Sequence, residues 1–296
     1  MEKVKIITDS CSDLDSALLT RYDIDYAKMS TIINEKEYPA LLTWSREEAH
    51  ALYERIRIGE RITTAQVSTR EFYTIFEKYL SCGFDIVYIG CSSKQSGSVN
   101  TGRVVANELI KKYNDRKIFC IDSLNASLGI GMLAIEASKL AKAEKSASEI
   151  AEHITSIRNN VNQYVTVHTL EHLKKAGRVS ASSAFLGNLF GVKPIIFSDS
   201  EGVQTPLKKV KGRENSLKEI VNLLKESIVE PQNQTIYIAH ADCNEDEINF
   251  LSDTIKKEIP CREIYIGYIG PIIGSSIGPD AIGIWGFGNK IEAMAK

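Results

Sequence analysis

The chain has no long apolar run, no excess charge of either sign, no closely paired cysteines and no nucleotide-binding glycine motif. Each absence removes a class of function. The amino terminus offers only Val4-Lys5-Ile6-Ile7 as an apolar stretch, far shorter than a signal-peptide core or a membrane span. Export is not expected and a cytoplasmic location is, with transient membrane contact left open. A formal net charge of -2 and a pI near 6.3 create no long-range field toward nucleic acid or an anionic surface. No nucleic-acid partner is expected.

The six cysteines, Cys11, Cys82, Cys91, Cys120, Cys243 and Cys261, form no Cys-x-x-Cys pair and have no histidine at metal-ligand spacing. They read as reduced, mostly buried thiols, and no metal site is expected. Cys91, beside a serine-rich loop, is the one candidate nucleophile, but no histidine lies near it in sequence. The five histidines, His50, His153, His168, His172 and His240, show no His-Glu-x-x-His spacing, and no Gly-x-Ser-x-Gly elbow occurs. Neither a Gly-x-x-x-x-Gly-Lys-Ser/Thr loop nor a dinucleotide fingerprint follows any expected strand. No cofactor is expected.

What is present is an ordinary globular composition, 296 residues with 43% hydrophobic and 25% charged, enough for two domains. Short β-type runs alternate with longer helical stretches, the pattern of an α/β fold with a largely parallel sheet. Strands are expected at Val4 to Thr8, Asp85 to Gly90, Lys117 to Ile121, Tyr164 to His168, Lys193 to Ser198, Val203 to Val210, Thr235 to His240, Glu263 to Tyr268 and Ala281 to Trp285. Asp199-Ser200-Glu201-Gly202 between two of them predicts a hairpin, hence a mixed sheet in the second half. Ser45-x-x-Glu48, Ser68-x-x-Glu71, Ser146-x-x-Glu149 and Asn244-x-x-Glu247 each fit a capping box that starts a helix. The polar stretch Arg158-Asn159-Asn160 sets the expected division: residues 1 to 160 form a three-layer domain with a parallel sheet, and residues 161 to 296 an α/β domain with a mixed sheet.

Ligands of open α/β sheets bind beyond the carboxyl ends of the strands, and those loops are rich in hydroxyls here. They are Thr8-Asp9-Ser10-Cys11-Ser12-Asp13, Cys91-Ser92-Ser93-Lys94-Gln95-Ser96-Gly97-Ser98 and Asp122-Ser123. The loop from Ser92 to Ser98 runs into a helix, whose amino end with its unpaired N–H groups suits an anion, and Gly97 would let backbone approach it. The plainer reading is that Ser96 or Ser98 caps that helix, and the two roles do not exclude each other. In Thr63-Thr64-Ala65-Gln66-Val67-Ser68, Ser68 is a cap and Thr64 an exposed loop residue by default. The glycine-rich end from Gly267 to Gly288 implies tight turns or backbone packed closely against a neighbour. His168 and His240 end strands and could face a site, although a hydrogen-bonded structural role is the commoner one.

Taken in order, these loops resemble the DegV family over nearly the whole chain. Thr8-Asp9-Ser10 with Asp13-Leu14 is similar to the family's opening motif, and Ser92-Ser93-Lys94-Gln95-Ser96-Gly97-Ser98 to its Ser-Ser-x-x-Ser-Gly-Thr loop. Leu173-Lys174-Lys175-Ala176-Gly177-Arg178-Val179-Ser180 and Lys193-Pro194-Ile195 resemble its Leu-Lys-Lys-Gly-Gly-Arg-Ile-Ser and Lys-Pro-Ile signatures. The resemblance implies a non-catalytic protein that binds a long-chain fatty acid, as the binding subunit of bacterial fatty acid kinase does, and presents its carboxylate to a separate kinase for acyl phosphate formation. It places Thr64 and Ser96 on the carboxylate, with Ser93, Thr63, Gly97 and Ser276 in the same ligand set, and gives Arg178 a role with the kinase. The basic pair Lys174 and Lys175 also reads simply as the cationic last turn of a helix capped by Gly177.

The chain departs from that pattern in the head-group region. Gly270-Pro271-Ile272-Ile273-Gly274-Ser275-Ser276-Ile277-Gly278-Pro279-Asp280 carries Ser276 where the resemblance implies a histidine, and Asp280 replaces a glycine. Burying some fourteen methylenes contributes on the order of 11 kcal/mol at ~0.8 each, against roughly 1.5 to 3 kcal/mol for one hydrogen bond to a charged group. Binding is therefore expected to survive the loss of the histidine, with presentation altered. Two other readings stand beside this one. A family member could have drifted to another amphiphile or lost its kinase coupling. Alternatively, a serine-dependent hydrolase or phosphotransferase would need His168 or His240 aimed at a serine.

Overall fold

The computed structural model describes residues 3–180 and 191–292. Contacts divide the chain into two compact units, one from Met1–Trp44 and Thr64–Arg158, the other from Ser45–Thr63 and Asn159–Lys296.

The first unit is built on a parallel sheet of order β2-β1-β6-β7, from β1 (Lys3–Asp9), β2 (Ile24–Ala27), β6 (Phe84–Gly90) and β7 (Ile118–Asp122). The central strands β1 and β6 are buried over most of their length, because helices cover both faces of such a sheet. In β6 every residue from Asp85 to Gly90 is buried. Helices α3 (Thr69–Leu80) and α4 (Ser98–Lys112) pack together on β6 and β7. α5 (Leu128–Lys142) and α6 (Ala147–Ile157) form a second pair over β1, β6 and β7. α1 (Ser16–Tyr22) packs on β2 and α5. A small second sheet has order β4-β3-β5, from β3 (Ser30–Ile33), β4 (Lys36–Pro39) and β5 (Thr63–Ala65).

The second unit holds a six-stranded mixed sheet of order β10-β9-β8-β13-β11-β12. Its strands are β8 (Val161–Thr166), β9 (Val192–Ser198), β10 (Gln204–Lys211), β11 (Thr235–His240), β12 (Glu263–Tyr268) and β13 (Ile282–Phe287). β11 and β12 run parallel and the other neighbours antiparallel. The expected hairpin joins β9 to β10: Asp199 N–H donates to the Val203 carbonyl at 2.9 Å and Gly202 N–H to the Asp199 carbonyl at 3.0 Å. α8 (Arg213–Ser227) and α9 (Glu245–Glu258) close an apolar core with Ile236, Ile238, Ile282 and Ile284 of the sheet. α7 (Glu171–Ala176) and α2 (Arg46–Arg57) both pack against α10 (Pro271–Ile277).

The segment Ser45–Thr63, expected in the first domain, belongs to the second unit. The reason is long-range packing. Tyr53 is fully buried and its hydroxyl donates to the Ile269 carbonyl at 2.6 Å, while Arg57 donates to the Asp242 and Asp280 carboxylates at 2.7 Å each. The four expected helix starts are all present, but only Ser45 and Ser146 make the reciprocal box. Ser68 and Asn244 accept from the third-residue N–H, while the partner acids are used elsewhere: Glu71 takes the Lys28 N–H and Glu247 takes Arg213. Among the described residues no helix is long and apolar enough to cross a membrane.

Candidate ligand-binding site

In the first unit the loops beyond β1, β6 and β7 meet, and most of their hydroxyls turn out to be structural. Thr8 donates to the Ile89 carbonyl at 3.0 Å, and Ser10 donates to the Ala40 carbonyl at 2.7 Å while accepting the Met29 N–H at 3.0 Å. Asp9 is fully buried, with the Tyr88 hydroxyl and the Cys91 and Cys11 N–H groups on its carboxylate at 2.8 to 2.9 Å. Burial pushes its pKa up against those hydrogen bonds. Asp13 accepts from the Ser127 hydroxyl at 2.5 Å. The opening motif thus ties β1 to its neighbours and offers little to a ligand.

The loop after β6 is different. Its inner side is fixed: Ser92 is fully buried and its carbonyl accepts the Gln95 and Ser96 N–H groups, while the Ser93 N–H donates to Asp122 at 3.1 Å. The Ser93 hydroxyl has no hydrogen-bond partner among the described residues, and neither does that of Thr64; both residues are half-buried. Ser96 does not occupy the cap position of α4, which falls on Gly97 with no side-chain bond. The Ser96 hydroxyl lies 3.0 Å from that of Ser98 and accepts the Ser98 N–H at 3.3 Å, and Ser98 in turn accepts the Val67 N–H at 3.1 Å.

Gly97 has a use other than the expected close approach to a ligand. A β-carbon there would stand 2.0 Å from Oε1 of Gln66, whose amide donates to Thr101 at 2.9 Å. The Gln66 side chain therefore lies over Gly97 and, with the Val67–Ser98 bond, seats the Thr64 loop on the Ser96 loop. Sequence reasoning passed over Gln66, because a lone loop glutamine carries no pattern. Only the pairing of a bare glycine with a long amide would mark it.

The remaining candidates lie in the second unit. Thr63 is exposed, at the division inside β5. Ser276 sits half-buried on α10 and donates weakly to the Ile272 carbonyl at 3.5 Å. Gly274 of that helix serves the close backbone packing the glycines suggested: a β-carbon there would come 2.4 Å from the Tyr53 hydroxyl, so glycine lets α2 pack against it. Arg178 is exposed just beyond α7, whose last turn holds Lys174 and Lys175 and whose cap is Gly177 in the left-handed region.

The histidines do not form a catalytic pair with a serine among the described residues. His168 Nδ1 faces Lys193 Nζ at 2.9 Å. His240 is buried, packed on the Tyr268 ring at 4.5 Å, and its Nδ1 has no partner among the described residues. Burial brings its pKa down to about 4. Cys91 is buried, and the Cys11 thiol is pushed up by its hydrogen bond with the Cys91 sulfur and by burial, so Cys11 offers no ready thiolate. His50, Glu54 and Asp242 bring three possible metal ligands together, but Arg57 Nη1 lies 2.7 Å from both Glu54 and Asp242 and already supplies the positive charge. A hollow of about 240 Å³ in this unit, lined by Asn162, Gln163, Tyr164 and Phe197 among others, contains none of the candidate residues.

Residues 3–287 match the family model described as "Uncharacterised protein, DegV family". The chain belongs to the DegV family. Among its relatives is a DegV domain-containing protein of Clostridium perfringens, 36% identical over 99% of this chain and 100% of the other. A solved DegV lipid-binding protein from Thermotoga maritima is 25% identical, with a TM-score of 0.85 over 99% of this chain and 100% of its own. Bacillus subtilis DegV, described as a fatty acid binding protein, is also 25% identical, with a TM-score of 0.83 over 97% of this chain and all of its own.

Proposed function

We propose that this DegV protein binds a long-chain fatty acid with its carboxylate on the Thr64, Ser93 and Ser96 hydroxyls, and presents it to a separate kinase rather than reacting with it. The observation that carries the reading is the state of those hydroxyls. Among the described residues the Thr64 and Ser93 hydroxyls have no hydrogen-bond partner. The Ser96 and Ser98 hydroxyls share one hydrogen bond at 3.0 Å, which leaves one proton of the pair for an acceptor. Three O–H donors without acceptors suit a carboxylate, which only accepts. The fatty acid or lipid binding named for the relatives from B. subtilis and T. maritima supports the choice of anion.

Among the described residues no histidine ring is hydrogen-bonded to a serine, which favours binding and presentation over hydrolysis. Gly97 serves in this reading by holding the Thr64 loop in place through Gln66. Thr63 and Ser276 belong to the second unit, and the variant that measures their share is Ser276→His. Arg178, exposed and bearing a fixed charge, is assigned to the kinase contact. The test combines the protein with oleate, ATP and a cognate fatty acid kinase. Acyl phosphate should form, Arg178→Ala should lower its rate without changing oleate affinity, and S276H should raise it. Oleate binding without acyl phosphate under any of these conditions would leave a carrier and reject presentation.

A further inference from the structure

At one edge of the six-stranded sheet in the second unit, the carboxyl ends of β8 and β11 stand beside the amino ends of β9 and β13: Thr166 pairs with both Ile195 and Ile282, and Ile282 pairs with His240. His168 follows β8, Lys193 is the second residue of β9, Asp280 precedes β13, and Arg213 is the first residue of α8. Four charged or titratable side chains from separate segments therefore collect at this edge.

Their charges are not fully matched. Arg213 gives Nε and Nη2 to the Glu247 carboxylate at 3.0 and 3.1 Å and Nη2 also to the Asp280 carbonyl at 2.7 Å. Its Nη1 is buried with no partner among the described residues. The Asp280 carboxylate is taken by Arg57 at 2.7 Å. Lys193 is left with no carboxylate among the described residues, and its one polar contact is the His168 ring nitrogen at 2.9 Å. A buried guanidinium N–H without an acceptor is unfavourable, and an ammonium held against an imidazole gains no ionic partner.

We propose that Lys193, Arg213 and His168 form a subsite for a phosphate-type oxyanion. Arg213 Nη1 and Lys193 Nζ are donors without an anionic acceptor, and a tetrahedral oxyanion has enough oxygens to accept from both and from a protonated His168. Burial and then the Arg213 charge hold both His168 and Lys193 below their ordinary values, opposed only weakly by Asp280 and Glu247. The subsite is built from residues of the second unit and is proposed whether or not the Thr64 and Ser96 hydroxyls hold a fatty acid.

The test titrates inorganic phosphate, with methyl phosphate as a second arm and chloride as the control, into the full chain labelled at histidine and lysine nitrogens. Phosphate should bind saturably, raise the pKa of His168, and lose at least tenfold in affinity in Lys193→Met. Arg213→Lys, which keeps the charge but removes Nη1, should also weaken it. Methyl phosphate binding as well as phosphate would identify a phosphoryl group on a larger molecule as the natural ligand, whereas phosphate alone would identify the free ion. Phosphate shifts no larger than those of chloride, or unchanged affinity in K193M with a normal melting curve, would overturn the subsite.

Discussion

The buried His240 sets a pH dependence that can be worked out in advance. In the folded chain its ring is only 5% exposed, and burial lowers its pKa from 6.5 to about 4. The folded state therefore keeps the ring neutral where an unfolded chain would take up a proton. The stability this represents is fully present above pH 6.5 and is lost as the pH falls toward 4. The span between the two values corresponds to about 3.5 kcal/mol at ~1.4 kcal/mol per pH unit, of which about 3 kcal/mol is lost by pH 4 itself. His168 and His172 are also lowered, chiefly by burial, and Asp9 is raised by burial and acts in the opposite sense. A difference measurement cancels these contributions. Urea unfolding followed from pH 7.5 to 4 should show the wild type losing about 3 kcal/mol more than His240→Leu over that interval. Parallel stability profiles for the two proteins would refute the burial argument.

Three further outcomes follow from the first unit. Ser96→Ala and Thr64→Val should each weaken oleate binding by roughly 1.5 to 3 kcal/mol, about 10- to 150-fold, while the apolar tail keeps binding measurable by calorimetry. Unchanged affinity in both would remove the hydroxyls from the head-group site. Gly97→Ala should destabilise the chain by about 1 kcal/mol in denaturant melts by displacing the Gln66 amide from Thr101. The same change in a Gln66→Ala background should cost markedly less, and strict additivity of the two would show that they do not touch. Ser146→Ala, which removes one of the two full capping boxes, should lower stability by about 1 kcal/mol.

The parts of the fold that the sequence declared are those where one local signal decides the outcome. β6 and β11 are long, apolar and buried, so their pattern alone marks them. The serines and the asparagine at helix starts announce α2, α3, α6 and α9, since a cap is a contact within four residues. β2, β3, β4 and β5 escaped because three or four residues are too few to show a period of two. In β4 all four residues are exposed, so no apolar face exists to find. The assignment of α2 to the second unit rests on Tyr53 reaching Ile269, a contact with no local trace.

The site was legible to a similar degree. Loop chemistry beyond β1, β6 and β7 was visible as hydroxyl density, yet density does not distinguish Ser10, whose hydroxyl is consumed by Ala40 and Met29, from Ser93 and Thr64, whose hydroxyls are not. That distinction depends on which carbonyls fold back within reach. Gly97 was noticed as a place of close approach, and the Gln66 side chain, which no local pattern marks, lies over it.

The central claim is that a fatty acid occupies this protein. Mass spectrometry of lipid extracted from the purified chain, quantified against protein, tests it most directly. One equivalent of long-chain fatty acid per chain is the expected result, falling in the Thr64→Val, Ser96→Ala double variant. A purified wild-type protein that carries no fatty acid, and takes up none when oleate is added, would contradict it.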